Sequence, residues 1–167
     1  MNNSKVEIEK KYIIELPSVK SMESMPGYDR SDITQIYLMS VKGVTHRIRR
    51  RVQSGNVTFT ETKKVRIDRM SAFEDEREIG REDYERLYCN IDPETRPIIK
   101  TRHTFTYLGQ LFEIDVYPEW QHNAILETEL DDREKTVDFP PFIKIVREVT
   151  GDKRYSNAGM SRAFPKE

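Results

Sequence analysis

The sequence has a single cysteine and lacks any long hydrophobic stretch. Because Cys89 is the one cysteine among 167 residues, no internal disulfide can form. The longest unbroken apolar run spans Ile36 to Met39, far short of the roughly 20 residues that a membrane-spanning helix needs. The first residues contain no apolar signal-peptide stretch. We therefore expect a soluble, cytoplasmic protein with no membrane partner.

An excess of charge of either sign is also missing. Lys and Arg number 28 against 29 Asp and Glu, which gives a net charge of −1, although these four types make up 34% of the chain. This balance excludes a uniformly basic nucleic-acid-coating protein and an acidic tail protein. The 8 Tyr, the 7 Phe and Trp120 are spread through the chain and favour a folded protein. The length is that of one domain, so we predict a single domain over residues 1–167.

Several common catalytic motifs are absent from the sequence. His46, His103 and His122 do not have the spacing of metal ligands, and the chain contains neither a Walker A loop nor a GxSxG elbow. Cys89 lies in a predicted helix without an obvious histidine partner, so we expect a buried structural thiol rather than a nucleophile.

Alternation of apolar and polar residues with a period of two recurs along most of the chain, which predicts a mainly β fold. Ser54-Gly55-Asn56 reads as a three-residue hairpin connection and Leu108-Gly109 as a tight one, so neighbouring strands are expected to be antiparallel. The eight predicted strands are Lys5–Ile14, Gln35–Ser40, Thr45–Gln53, Val57–Lys64, Phe73–Ile79, Ile98–Tyr107, Gln110–Pro118 and Ala124–Asp131.

Helical patterns are fewer and shorter. Arg81–Cys89 and Phe142–Val149 carry apolar residues at helical spacing, and Gly151 follows the second segment as a stop. A third helix is predicted from Ser156 or Asn157 to Ala163. The stretch from Ser18 to Ser31 is rich in loop-forming residues, and both a mobile loop and a partly helical segment stay open there. We expect these helices to pack outside the sheet.

The predicted strands separate charge onto one face. Glu7, Glu9 and Lys11 share a face of the first strand, and Glu127 and Glu129 share a face of the last. The same pattern groups Arg47, Arg49 and Arg51 on one face, and Glu113, Asp115 and Tyr117 on another. A solvated sheet face is the plain alternative, but such faces usually mix signs and include neutral polar residues. Eight antiparallel strands are enough to close a barrel with the ionic faces inside and the apolar faces covered by helices.

Such an interior suits a polyanion together with divalent cations. Arginine and lysine donate to phosphate oxygens, and clustered carboxylates are hard oxygen ligands for Mg²⁺ or Mn²⁺. The residues alone therefore favour a phosphate-binding, metal-assisted chemistry.

At this point the sequence resembles the CYTH superfamily, the triphosphate tunnel metalloenzymes, in the manner of a small bacterial member and over nearly the whole chain. The ExExK signature of the family matches Glu7-Ile8-Glu9-Lys10-Lys11. The supporting motifs, in order, are Gln35-Ile36-Tyr37-Leu38, Arg47-Ile48-Arg49, Thr62-Lys63-Lys64, Glu76-Arg77-Glu78, Lys100-Thr101-Arg102, Phe112-Glu113-Ile114-Asp115, Glu127-Thr128-Glu129 and Asp152-Lys153-Arg154-Tyr155-Ser156-Asn157.

The resemblance implies a closed eight-stranded antiparallel tunnel with a few outer helices, and it implies roles for individual residues. Glu76, Glu78 and Tyr155 are further candidates for lining the tunnel, and the Thr-x-Lys pattern favours Lys64 over Lys63. The implied metal ligands are Glu7, Glu9, Asp115, Glu127 and Glu129. The implied phosphate-binding residues are Lys11, Arg47, Arg49, Lys64, Lys100, Arg102 and Arg154. The residues nearest the chemistry would be Lys11, Glu9 and Glu127.

The implied function is hydrolysis of a triphosphate with Mg²⁺ or Mn²⁺, by attack of a metal-activated water on the terminal phosphate. Inorganic tripolyphosphate, a nucleoside triphosphate and thiamine triphosphate stay open as substrates. A class IV type adenylate cyclase and a polyphosphate- or nucleotide-binding module without turnover are the alternatives. The expected partner is a small-molecule triphosphate; nucleic acid would enter only as a 5′-triphosphate end, and a homodimer is an open alternative by analogy.

Overall fold

Residues 2–167, which the computed structural model describes, form nine strands and three short helices. No helix among these residues is long and apolar enough to cross a membrane. A 3-10 turn at Lys153–Tyr155 precedes the last helix. The helices are α1 (Val19–Glu23), α2 (Arg81–Tyr88) and α3 (Asn157–Arg162). The strands are β1 (Asn2–Glu15), β2 (Asp29–Leu38), β3 (Val44–Gln53), β4 (Asn56–Arg66), β5 (Ser71–Ile79), β6 (Ile98–Tyr107), β7 (Gln110–Val116), β8 (Asn123–Glu129) and β9 (Ile145–Glu148).

The first eight strands close into an antiparallel barrel, which confirms the predicted fold. Their order is β5-β4-β3-β2-β6-β7-β8-β1, and β5 pairs with β1 to complete the ring. The long strand β1 makes this closure because its first half pairs with β5 and its second half with β8, as at Val6 opposite Phe73 and Lys11 opposite Glu127. Closure leaves few strand edges unpaired. One of them is on the second half of β1, where β9 pairs with Tyr12–Ile14.

Two-residue turns set the register of two hairpins. Ser54 and Gly55 have φ of 48° and 79°, and Leu108 and Gly109 have φ of 48° and 76°. Positive φ at both central residues is the geometry whose twist matches a β-hairpin. The first turn is thus one residue shorter than predicted, because Asn56 already pairs with Gln53.

The apolar outer faces of the barrel are covered by helices and a loop. Phe105, Phe112 and Leu126 pack with Met22 of α1 and with Phe139 and Phe142 of the loop before β9. On the other side, Ile48, Phe59 and Ile79 pack with Tyr84 and Leu87 of α2. The ionic faces are left to point inwards.

A third apolar cluster fills one end of the barrel interior, and we refer to it as the plug. Four of its residues are on the inward face of their strands, close to the ends that meet there: Ile13, Tyr37, Ile98 and Ile125. Tyr117, directly after β7, packs with them. Trp120, Val149, Tyr155 and Met160 of α3 complete it. The hairpin turns at residues 54–55 and 108–109 mark the opposite, open end, since all neighbouring strands are antiparallel.

Three expectations about local structure are wrong. Phe142–Val149 is not a helix: Ile145–Glu148 is an exposed edge strand whose backbone pairs with Tyr12–Ile14 of β1. Strand β2 begins at Asp29 rather than Gln35, because pairing with β6 extends it back into the loop-rich stretch, which also contains α1. Cys89 is exposed rather than buried, because it caps the C-terminus of α2 while Tyr84 and Leu87 carry the packed face.

Gly151 is the first position at which we predict a measurable effect on stability. Its φ is 75°, and an added Cβ would lie 2.8 Å from the carbonyl oxygen of Arg69. Gly151→Ala should therefore lower the free energy of unfolding by at least about 2 kcal/mol, as measured by urea denaturation.

Gly55→Ala is the matched control for that measurement. Gly55 has nearly the same φ, 79°, but a Cβ there would meet nothing within 4 Å. It should carry only the backbone cost of about 1 kcal/mol. Equal losses for the two variants would show that the contact with Arg69 is not what constrains residue 151.

Candidate active site inside the barrel

The strand registers bring most of the predicted site residues onto one surface, the inside of the barrel. Glu9 is directly opposite Glu129, and Lys11 is directly opposite Glu127. Arg49 is opposite Gln35 on one neighbouring strand and Thr60 on the other. Lys64 points inwards and contacts Glu7, whereas Lys63 is on the outer face.

Five buried charged residues form what we call the inner ion cluster: Lys11, Lys100, Arg102, Asp115 and Glu127. Lys100 Nζ is 2.5 Å from Asp115 Oδ2, and Arg102 donates from Nε to Asp115 Oδ1 at 2.6 Å. Arg102 Nη2 also donates to Glu127 Oε2 at 2.8 Å, and Lys11 Nζ is 2.7 Å from Glu127 Oε1. Each carboxylate therefore already holds two cations.

Burial and neighbouring charge shift the pKa values within the inner ion cluster. Burial opposes ionisation of Glu127, but Lys11 and Arg102 outweigh it and hold its pKa well below the usual range. Burial, followed by the like charge of Arg102, lowers the pKa of Lys100 to about 8. Glu113, which also contacts Arg102, has a raised pKa because burial dominates. The cluster thus contains three cationic side chains against two carboxylates, one of which stays ionised well below its usual pKa.

A second group, the arginine row, consists of Arg47, Arg49 and Arg51 on the inward face of β3. The Nε atom of each is buried and has no hydrogen-bond partner among residues 2–167. Burial and the like charges of Arg47 and Arg102 lower the pKa of Arg49 to about 10. Buried donors without partners are costly in a folded protein, so this row is suited to an anion that would accept from it.

The acidic neighbours of the arginine row make only long contacts with it. Arg47 Nη2 is 3.6 Å from Glu74 Oε1, and Arg49 Nη1 is 3.9 Å from Glu76 Oε2. Glu76 instead accepts from Thr62 Oγ1 at 2.8 Å. The ion pairs of Arg47 and Arg49 among residues 2–167 are therefore all longer than 3.5 Å, which leaves the guanidinium groups without a short-range counter-charge.

Carboxylates with fewer bound cations are found nearer the open end. Glu9 and Glu129 are direct cross-strand partners, and the side chain of Glu9 makes one contact with a cation, 3.9 Å to Lys11. Lys5 Nζ is 3.1 Å from Glu129 Oε1 and 3.3 Å from Glu7 Oε1, so it contacts both carboxylates. Like charges directly opposite each other on adjacent strands are destabilising, so this pair is suited to a cation bound between them.

We tested whether the carboxylates of the interior fit a divalent metal. Their oxygen donors match the preference of Mg²⁺ and Mn²⁺. In the arrangement of residues 2–167, no three His, Cys, Asp or Glu side chains converge closely enough to hold an ion. Glu7, Glu9 and Glu129 fit best, because they share the inward face of the adjacent strands β1 and β8, and Lys5, which contacts both Glu7 and Glu129, is half-exposed. Asp115 and Glu127 could reach a metal only by giving up cations of the inner ion cluster.

Some predicted residues are not part of these groups. Arg154 is exposed and paired with Asp152 at 2.7 Å, and Tyr155 is in the plug, where its carbonyl oxygen is 3.5 Å from Lys11 Nζ. Glu78 is on the inward face at the exposed open end.

Sequence reasoning did not assign three inward residues to the site, namely Glu74, Glu113 and Arg51. Strand parity could have found each of them, because they alternate with Glu76, Asp115 and Arg49.

Comparison with known proteins agrees with this geometry. No family model and no curated protein matches the sequence, so the likeness is structural. The chain is similar to the inorganic triphosphatase NE1496, with 25% identity, a TM-score of 0.60 and coverage of 95% of this chain and 96% of that one. It is also similar to the PH1819 protein from Pyrococcus horikoshii OT3, with 19% identity, a TM-score of 0.56 and coverage of 77% and 80%.

A third structure, HpAC1 from Hippeastrum, is described as having a dominant triphosphatase activity. It shares 14% identity with this chain at a TM-score of 0.52, with coverage of 76% of this chain and 81% of that one. The chain has the CYTH, or triphosphate-tunnel, fold. Within this fold the sequence of β1 supplies Glu7, Glu9 and Lys11 to the interior, as the resemblance to the family implies.

Proposed function

We propose that this protein hydrolyses a triphosphate substrate inside the barrel with the help of a divalent metal. The observation that carries the proposal is the pair Arg47 and Arg49, whose buried Nε atoms have no hydrogen-bond partner within residues 2–167 and which lie beside the inner ion cluster. A linear triphosphate offers many acceptor oxygens with high negative charge, and arginine matches such oxygens with forked donors. The inorganic triphosphatase NE1496 is the structural neighbour that supports hydrolysis as the reaction.

Phosphate binding would use cations from four strands. Arg47 and Arg49 would donate from β3, Lys100 and Arg102 would donate from β6 on the other side of β2, and Lys11 would donate from β1. Lys64 is 3.1 Å from Glu7 and would connect the phosphate-binding cations to the carboxylates. The apolar plug would stop the chain of phosphates at the closed end and exclude water behind it.

The carboxylates near the open end would hold the metal. Glu7, Glu9 and Glu129 are the proposed ligands, with Asp115 and Glu127 holding Lys100, Arg102 and Lys11 in position for the substrate. When bound, Mg²⁺ or Mn²⁺ would neutralise phosphate charge and activate the attacking water. Phosphoryl transfer depends mainly on positioning and charge neutralisation, so a histidine base is not required.

The first test is phosphate release from tripolyphosphate, ATP and thiamine triphosphate, with Mg²⁺ or Mn²⁺ and with a chelator as control. We expect release that depends on the metal and differs among the three substrates. Formation of cyclic AMP from ATP would instead identify an adenylate cyclase. Tight binding of all three compounds without any release would identify a binding module and contradict the proposed hydrolysis.

A further inference from the structure

Arg51 is the member of the arginine row that is not among the residues proposed to bind the three phosphate groups of a triphosphate, which we call the three-phosphate site. It is directly opposite Ile33 on β2 and Thr58 on β4, so its side chain shares the inward face with Arg47 and Arg49. Within residues 2–167 no carboxylate is close enough to form an ion pair with it, and its buried Nε has no hydrogen-bond partner. Its positive charge also lowers the pKa of Arg49, after burial and nearer arginines.

The arginine row has a direction relative to the barrel ends. Arg47 is opposite Tyr37 of the plug, and Arg51 is two residues before Gln53, where β3 meets the hairpin turn of the open end. Three residues at alternate positions of a strand span about 13 Å. The row is therefore longer than the three linked phosphorus atoms of a triphosphate whose terminal group rests against the plug.

A second buried polar atom supports the inference that an anion binds at this level of the barrel. Thr60 Oγ1 is buried and has no hydrogen-bond partner in the described part of the chain, and Thr60 is opposite Arg49 and two residues from Thr58 on the inward face of β4. An oxyanion between Arg49 and Arg51 could accept from Arg51 Nε and from this hydroxyl group. A phosphate group has the charge and the acceptor oxygens to bind both donors. It could also be the next group of the phosphate chain that is bound deeper in the barrel.

We propose that Arg51 and Thr60 form an outer phosphate subsite, so that the barrel binds a linear tetraphosphate more tightly than a triphosphate. This inference rests on the proposed function, because it extends the same chain of phosphates towards the open end. A longer inorganic polyphosphate would bind through its last four groups in the same way.

The test is calorimetric binding of sodium tripolyphosphate and sodium tetrapolyphosphate in the presence of a chelator, which prevents turnover. The wild-type protein should bind tetrapolyphosphate about tenfold more tightly than tripolyphosphate, the gain expected of one charge-assisted contact. Arg51→Gln should weaken tetrapolyphosphate binding about tenfold more than tripolyphosphate binding. Arg49→Gln should weaken both to a similar degree.

Arg50→Gln is the matched control, because Arg50 is the exposed neighbour on the outer face of β3. It should retain the wild-type preference for the longer chain. Arg51→Gln should fold at least as stably as the wild type in urea, since it removes a buried charge without an ion pair. A large loss of stability would show that Arg51 supports the fold and would overturn its assignment to a phosphate subsite.

The possible failures are distinguishable. Binding of tripolyphosphate without a gain for tetrapolyphosphate would overturn the outer subsite alone. Equal weakening of both ligands by Arg51→Gln would also overturn it and would move Arg51 into the three-phosphate site. Failure of both ligands to bind the wild type, with the chelator and again with Mg²⁺ or Mn²⁺, would contradict the proposed function itself.

Discussion

Glu9→Gln is expected to lower kcat for triphosphate hydrolysis by about 100-fold or more without unfolding the protein. A bound metal contributes several kcal/mol to transition-state stabilisation, and about 1.4 kcal/mol corresponds to a factor of ten in rate. Glutamine keeps the shape of Glu9 but removes the charge that would attract the cation. The check is the rate of phosphate release as a function of both substrate and Mg²⁺ concentration.

The same variant should leave the free energy of unfolding unchanged or slightly raised. Glu9 is opposite the like-charged Glu129, and its one contact with a cation is 3.9 Å long. Removing the charge therefore removes more repulsion than attraction. A rate loss that accompanied a large loss of stability would point to a structural role instead.

Glu15→Gln is the matched control for Glu9→Gln. Glu15 is on the same strand, but its side chain is exposed and pairs with Lys144 at 3.1 Å outside the interior. We expect wild-type turnover from this variant. Normal turnover of Glu9→Gln as well would contradict the assignment of Glu9 as a metal ligand.

Period-two alternation was sufficient to predict the barrel strands because one face of each is ionic and the other apolar. The pattern even assigned Lys64 to the inward face, since Thr58, Thr60 and Thr62 share its parity. It could not predict β9, whose four residues are all exposed and whose partner edge is far away in the sequence. Local apolar spacing there resembles a helix, and the long-range pairing with β1 decides otherwise.

The plug shows a second limit of strand parity. Ile13 and Ile125 are on the same face as Lys11 and Glu127, so the inward face changes from ionic to apolar within one strand. What makes that change favourable is α3, which brings Met160 against these residues from the far end of the chain. No local pattern in β1 or β8 contains this information.

The chemical role of a carboxylate was also beyond the sequence. On one strand, Asp115 reads as either a metal ligand or a partner for a cation. The register favours the second reading, because Arg102 is directly opposite Asp115 and Lys100 is two residues before Arg102 on the same strand. For Glu9 the register instead brings another carboxylate opposite. Cross-strand pairing therefore distinguishes a carboxylate that is opposite a cation from one that is opposite another carboxylate, whereas the residue type alone does not.

Asp115→Asn is expected to lower the free energy of unfolding by about 3–5 kcal/mol, whereas Glu9→Gln is expected to leave it unchanged or slightly raised. The side chains of Asp115 and Lys100 are both fully buried, and Asp115 also binds Arg102 through both oxygens. Removing the carboxylate charge leaves two buried cations with less compensation, which is the costly way to break a buried ion pair. Urea denaturation of the variant against the wild type measures the loss.

The pH dependence and the ligand response of Asp115→Asn separate its structural role from a role as metal ligand. Burial raises the pKa of Asp115, but Arg102 and Lys100 outweigh it and the pKa is lowered. Its contribution to stability is thus present above the ordinary carboxyl pKa and is lost as the pH falls through the lowered one, so the difference between variant and wild type should shrink in acid. Tripolyphosphate should restore part of the lost stability by neutralising the two cations. A variant as stable as the wild type at neutral pH would contradict this role and return Asp115 to the candidate metal ligands.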